Sequence, residues 1–177
     1  GLMNVLKVQT ECEIPYFIFS SSCSVYGNIT QLPVTEKSTL NKAESPYAYT
    51  NQIGERIVAD YTHSQKGKQA ISLRYFNPVG AHISGLIGED PQGVPNNLMP
   101  YVAQVAVGRR EKLMVFGGDY PTVDGTGVRD YIHVNDIALA HIDALREFEN
   151  GLTTAEVNIG TGNGISGIAA GESLNEK

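Results

Sequence analysis

The chain has 177 residues, is 41% hydrophobic and 18% charged, and carries a formal net charge of -6. That composition suits a folded core of ordinary domain size and excludes a disordered chain. With no basic run longer than the Arg109-Arg110 pair it also argues against a nucleic-acid footprint, while leaving room for a small anionic ligand.

In chain order, Leu2, Val5 and Leu6 form a helical stripe, and the apolar run Tyr16 to Ser20 is short enough for a buried strand. A helix is expected from Tyr47 to about Gln65, opened by Pro46, with Ile53, Ile57, Val58 and Tyr61 as its inner face and Gly67 beyond its end. The strand Ala70 to Phe76 follows, then a stretch dense in Gly and Pro up to Pro95. Next come a helix near Asn97 to Val107, a short strand Leu113 to Phe116, and a glycine-rich loop from Gly117 to Gly127 that carries Asp119, Pro121 and Asp124. A helix Asn135 to Phe148 and a strand Glu156 to Ile159 complete the alternation, which predicts an α/β chain with a parallel sheet. Beyond Gly160 the glycines at 160, 162, 164, 167 and 171 make a poor helix former, and GTGNG at 160–164 reads as a turn rather than a phosphate loop.

Cys12 and Cys23 make neither a disulfide framework nor a metal pattern, and His63, His82, His133 and His141 are scattered, so no metal is expected. No apolar run approaches the ~20 residues needed to cross a bilayer, and the first residues lack the basic and apolar regions of a signal peptide. The expected setting is therefore reducing and cytoplasmic, with no membrane partner.

The chemistry-bearing candidates are Ser22 at a strand end and Tyr47 at a helix start. A tyrosine phenol titrates near 10, so its use as a base at neutral pH needs a cation close by. One helical turn after Tyr47 stands Asn51, which is neutral. Taken alone, the serines at 20–22 fit a solvated strand end, and Tyr47 fits a ring packed at a helix N-terminus. Tyr49 is a poor substitute, since two residues along a helix turn it about 200° away. Arg129 beside Asp130 fits either a local ion pair or an anion contact, and His133 and His141 fit structural or exposed roles.

The segments YFIFSSSCSVYGN, SPYAYTNQIGERI, LRYFNPVGAH, GEDPQGVPNNLMPYVAQVAVGRR and DGTGVRDYIHV, in this order and spacing, resemble the UDP-glucose 4-epimerase (UDP-galactose 4-epimerase) family of extended short-chain dehydrogenases/reductases. The resemblance runs from the first residue to about position 165 and implies a partial Rossmann-like parallel sheet with part of a smaller sugar-nucleotide domain. It places the dinucleotide domain at 1–80, a substrate-domain insertion at 81–130, a return to the first domain at 131–160 and a divergent tail at 161–177.

It further implies NAD as cofactor and a UDP-sugar as substrate, with UDP-glucose and UDP-galactose interconverted through a 4-keto sugar. Tyr47 matches the base and Ser22 the hydroxyl that grips the sugar oxygen, with Cys23 and Ser24 beside it. Asn51 falls where the family has lysine, at the cofactor. Tyr75 matches a residue near the nicotinamide, with Phe76 and Asn77 along the nucleotide sugar and Asn96, Asn97 and Leu98 at a helix start by the diphosphate. Met114, Val115 and Phe116 would flank the uridine, and Arg129 would pair with the diphosphate. The family's glycine-rich strand-helix turn has no counterpart before Tyr16, and the match fades after Ser166. Two functions follow: an epimerase, homodimeric once completed, or a non-catalytic remnant that still binds UDP-sugars.

Overall fold

Apolar runs and stripes alternate along this chain, and a computed structural model, which describes residues 1–172, turns them into elements as follows. The order is α1 (Leu2–Glu11), β1 (Tyr16–Ser22), a 3-10 turn (Cys23–Tyr26), α2 (Pro46–Ser64), β2 (Gln69–Tyr75), β3 (Asn77–Val79), α3 (Leu98–Ala106), β4 (Val128–His133), α4 (Val134–Glu149), β5 (Thr154–Ile159), β6 (Gly164–Ser166) and α5 (Gly167–Glu172). They fall into two compact units, one of Gly1–Phe76 with Ile137–Ile159 and one of Asn77–Asp136 with the segment from Gly160.

The first unit is built on a parallel sheet of order β1-β2-β5. β2 is its central strand, and Ala70, Ile71 and Leu73 are buried because a central parallel strand is covered on both faces. Side chains alternate across a strand, so β1 turns Phe19 and Ser21 toward α2, where they meet Gly54 and Glu55. On the other face Tyr16 stacks on Phe148 of α4 at 4.7 Å. α1 lies beside α2, with Thr10 Oγ1 2.9 Å from the Tyr61 hydroxyl.

α2 starts where Ser45 and Pro46 place it: the Ser45 side chain accepts from the Ala48 amide, and proline at the first helical position has no amide to leave unpaired. Its buried face differs from the expected one. Ala48, Asn51, Gly54, Glu55 and Val58 are inside, whereas Ile53 is exposed. The helix is rotated because Glu55 is drawn in by a buried arginine and because Gly54 lets the Phe19 ring lie against the helix backbone. A β-carbon at Gly54 would collide with that ring. Gly54→Val is therefore expected to destabilise the first unit by about 1–3 kcal/mol, measured by chemical denaturation.

In the second unit β3 and β4 run parallel and β6 pairs antiparallel with β4. Leu113 to Phe116 is not a strand. Leu113 and Val115 instead line an open apolar cavity of about 260 Å³ with Val102, Val105 and Ile168, so the run packs on helices without a ladder partner. The glycine-rich end also departs from expectation by forming β6 and α5. Thr126 Oγ1 accepts the Gly167 and Ile168 amides, and Ser166 Oγ accepts that of Ala169, a hydroxyl cap that overrides poor propensity.

Candidate functional site

Ser22, Tyr75 and Ile159 are the last residues of their strands; Ser22 pairs with Tyr75, and Tyr75 with Ile159. The carboxyl ends of the parallel strands are thus in register, which is where open α/β sheets bind ligands. At this end the chain turns through Cys23–Tyr26, and Ser22 Oγ accepts the Ser24 amide at 3.2 Å. Among the described residues the Ser24 hydroxyl oxygen is buried without a hydrogen-bond partner.

Tyr47 is the second residue of α2 and is 63% exposed, and no described side chain hydrogen-bonds its hydroxyl. Asn51 is only 7% exposed, and its side-chain nitrogen donates to the Tyr47 carbonyl at 3.0 Å. The group one turn below the phenol is thus a neutral amide folded back on the helix. The Tyr75 hydroxyl is engaged within the protein, 2.9 Å from Ser20 Oγ and 2.9 Å from His141 Nε2. His141 Nδ1 sits 2.8 Å from the Ile137 carbonyl, which can only accept, so this ring nitrogen carries a proton. The Phe76 amide donates to the Ile159 carbonyl.

Behind the serine turn lies a buried polar network that charge patterning alone does not reveal. Arg74 and Glu55 form a bidentate pair at 2.9 and 2.8 Å, with side chains only 5% and 6% exposed. Ser21 Oγ donates to Glu55 Oε1, Arg74 donates to the Tyr26 hydroxyl, and that hydroxyl donates to Asn158 Oδ1 at 2.6 Å. Burial pulls the Arg74 pKa down, but the hydrogen bonds to Glu55 and Tyr26 and the Glu55 charge outweigh it and hold the guanidinium above its ordinary value. The sequence signal that could have exposed this network is an acidic residue set among the buried positions of a helix face, matched by an arginine inside a strand that is otherwise apolar.

The second unit holds the other expected residues. Asn77 opens β3, opposite Tyr131 of β4. Asn96 and Asn97 are exposed before α3, which begins at Leu98; Asn97 is its N-cap residue but makes no side-chain cap bond, which leaves first-turn amides open to an anion. Met114, Val115 and Phe116 are exposed. Arg129 lies exposed on β4 and makes no ion pair among the described residues. Its neighbour Asp130 is occupied elsewhere, accepting from the Thr161 amide, the Thr161 hydroxyl and the Gly162 amide at 2.9, 2.7 and 2.8 Å. The local Arg129–Asp130 pair is thus not made. Close by in sequence, burial raises the Tyr131 pKa against the opposing charge of Arg129, and hydrogen bonds from Ser166 and Thr126 lower that of Asp124.

An NAD pyrophosphate needs a glycine-rich turn that joins a strand to a helix and offers free amides. GTGNG follows β5 but leads into β6, and the amides of Thr161 and Gly162 already bind the Asp130 carboxylate. The described residues therefore do not fit the dinucleotide by themselves.

The model of the NAD dependent epimerase/dehydratase family matches residues 1–160. The chain is 50% identical to the UDP-glucose 4-epimerase of Bos taurus, over 94% of this chain and 48% of that protein. It is 54% identical to UDP-glucose 4-epimerase 2 of Arabidopsis thaliana, over 94% of this chain and 47% of the relative. A crystal structure of UDP-glucose-4-epimerase from Stenotrophomonas maltophila with bound NAD and formylated UDP-arabinopyranose superposes with a TM-score of 0.90 at 46% identity, covering 94% of this chain and 49% of that one. The chain spans about half the length of the curated relatives it matches. With one family model covering most of its residues and with the sheet order and strand-end site described above, the chain belongs to the NAD dependent epimerase/dehydratase family.

Proposed function

We propose that this chain supplies the sugar-facing side of a UDP-glucose 4-epimerase that interconverts UDP-glucose and UDP-galactose through a 4-keto sugar. The observation that carries the proposal is the convergence of Ser22, the unpartnered Ser24 hydroxyl and Tyr75 at one end of the parallel sheet, in a chain about half identical to such epimerases. In this reading the first unit is the dinucleotide-side body and the second carries the sugar-nucleotide contacts. Ser22 hydrogen-bonds the sugar 4-oxygen, and Tyr47 exchanges a proton with it. Asn96 to Leu98 and Arg129 hold the diphosphate, Met114 to Phe116 flank the uridine, and Phe76 and Asn77 line the nucleotide sugar. The setting is cytoplasmic, and the completed protein is a homodimer.

A second reading has a specific observation behind it. Asn51 donates to the Tyr47 carbonyl and brings no charge to the phenol. A chain with that residue fits a UDP-sugar-binding module without turnover. Calorimetry tests what the two readings share. UDP is expected to release heat on binding, and Arg129→Ala to weaken it roughly tenfold, the loss of one charge-assisted contact. No heat with UDP or UDP-glucose would sink both readings.

A further inference from the structure

The turn that carries Ser22 and Ser24 is held from the helix that carries Tyr47. Gln52 Nε2 donates to the Val25 carbonyl at 2.8 Å and to the Asn41 carbonyl at 2.7 Å. The Asn41 amide in turn donates to the Tyr26 carbonyl at 3.2 Å. On the near side of the same turn, Ser21 donates to Glu55; on the far side, Tyr26 receives Arg74. Gly27 makes the approach possible: its φ is 64°, and a β-carbon there would stand 2.5 Å from the Lys42 carbonyl oxygen. Gln52 and Glu55 sit roughly 1.4 and 2.2 helical turns beyond Tyr47 on one rigid α2.

We infer that Gln52, backed by the Glu55–Arg74 pair, is a positioning residue that fixes the Ser22–Ser24 turn against the helix bearing Tyr47, and so sets the grip on the sugar end of a UDP-sugar. The inference rests on the proposal that Ser22 to Ser24 face the sugar. Two features separate this clamp from ordinary packing. Its donors go to main-chain carbonyls of the turn and of the Asn41 segment bonded to that turn, so it defines a distance rather than filling a space. The turn it holds also keeps a buried hydroxyl, Ser24 Oγ, without a partner, and that arrangement needs external support.

Gln52→Leu removes both donors at similar size, and Gln52→Met repeats the removal with an unbranched chain. Amide exchange by NMR and the affinities for UDP-glucose and for UDP are measured on the whole chain. The expected result is exchange about tenfold faster at Gly27 and Asn41 with β2 amides unchanged, a fall of about tenfold in UDP-glucose affinity, and an unchanged UDP affinity. Unchanged exchange at Gly27 and Asn41 overturns the clamp. Faster exchange with UDP-glucose and UDP affected alike, or not at all, overturns its positioning role. If the unsubstituted chain binds neither ligand, the proposed function has failed, and exchange at Gly27 and Asn41 alone decides the clamp.

Discussion

Arg74→Met is expected to lower the unfolding free energy of the first unit by about 3–5 kcal/mol, the usual effect of removing one partner from a buried ion pair. The variant leaves the Glu55 carboxylate inside the protein with Ser21 as its remaining partner, and it deprives the Tyr26 hydroxyl of a donor. The pair itself is a weak source of net stability, because desolvating two charges offsets most of their attraction. The double variant Arg74→Met, Glu55→Leu should therefore recover most of the loss. Urea denaturation of the three chains checks both statements. A loss below ~1 kcal/mol for Arg74→Met would mean that solvent reaches Glu55 and that the network does not anchor the serine turn.

That network also marks the limit of what patterning could tell. α2 was legible because its start is chemically specified: Ser45 and Pro46 form a cap and a first turn whatever surrounds them. β2 was legible because a central strand needs an apolar run. Their mutual orientation was not legible, since periodicity places Glu55 outside and Ile53 inside, and burial of a paired charge reverses both. β4 escaped notice for a related reason: Arg129, Asp130 and His133 interrupt its apolar pattern, yet Asp130 has a structural partner in the Thr161–Gly162 turn. The opposite error occurred at Leu113 to Phe116, where a strand-like run serves a helix-lined cavity. In the candidate site, the hydroxyls and aromatic rings are proposed from their motif context. What holds them in place came from Gln52, Glu55, Arg74 and His141, ordinary polar residues whose roles exist only once the chain is folded.

Asn51→Lys is expected to raise epimerase turnover about 10²–10⁴-fold when the chain is joined to a glycine-rich dinucleotide half and supplied with NAD, the range by which a competent acid-base group accelerates proton transfer. Position 51 lies one turn from Tyr47 and is 7% exposed, so a charge placed there acts through poorly screening surroundings. The present side chain supplies none and spends its amide on the Tyr47 carbonyl. The same burial makes the substitution costly to the fold unless the ammonium reaches solvent beside the exposed Tyr47; a modest drop in stability should therefore accompany the gain in rate. Adding Tyr47→Phe to the lysine variant should abolish the gain, because the cation then has no phenolate to stabilise. Turnover is followed by conversion of UDP-galactose to UDP-glucose. If the lysine variant folds, binds UDP-glucose and still turns over no faster than the asparagine chain, then residue 51 does not limit the chemistry, and the module reading gains what the epimerase reading loses.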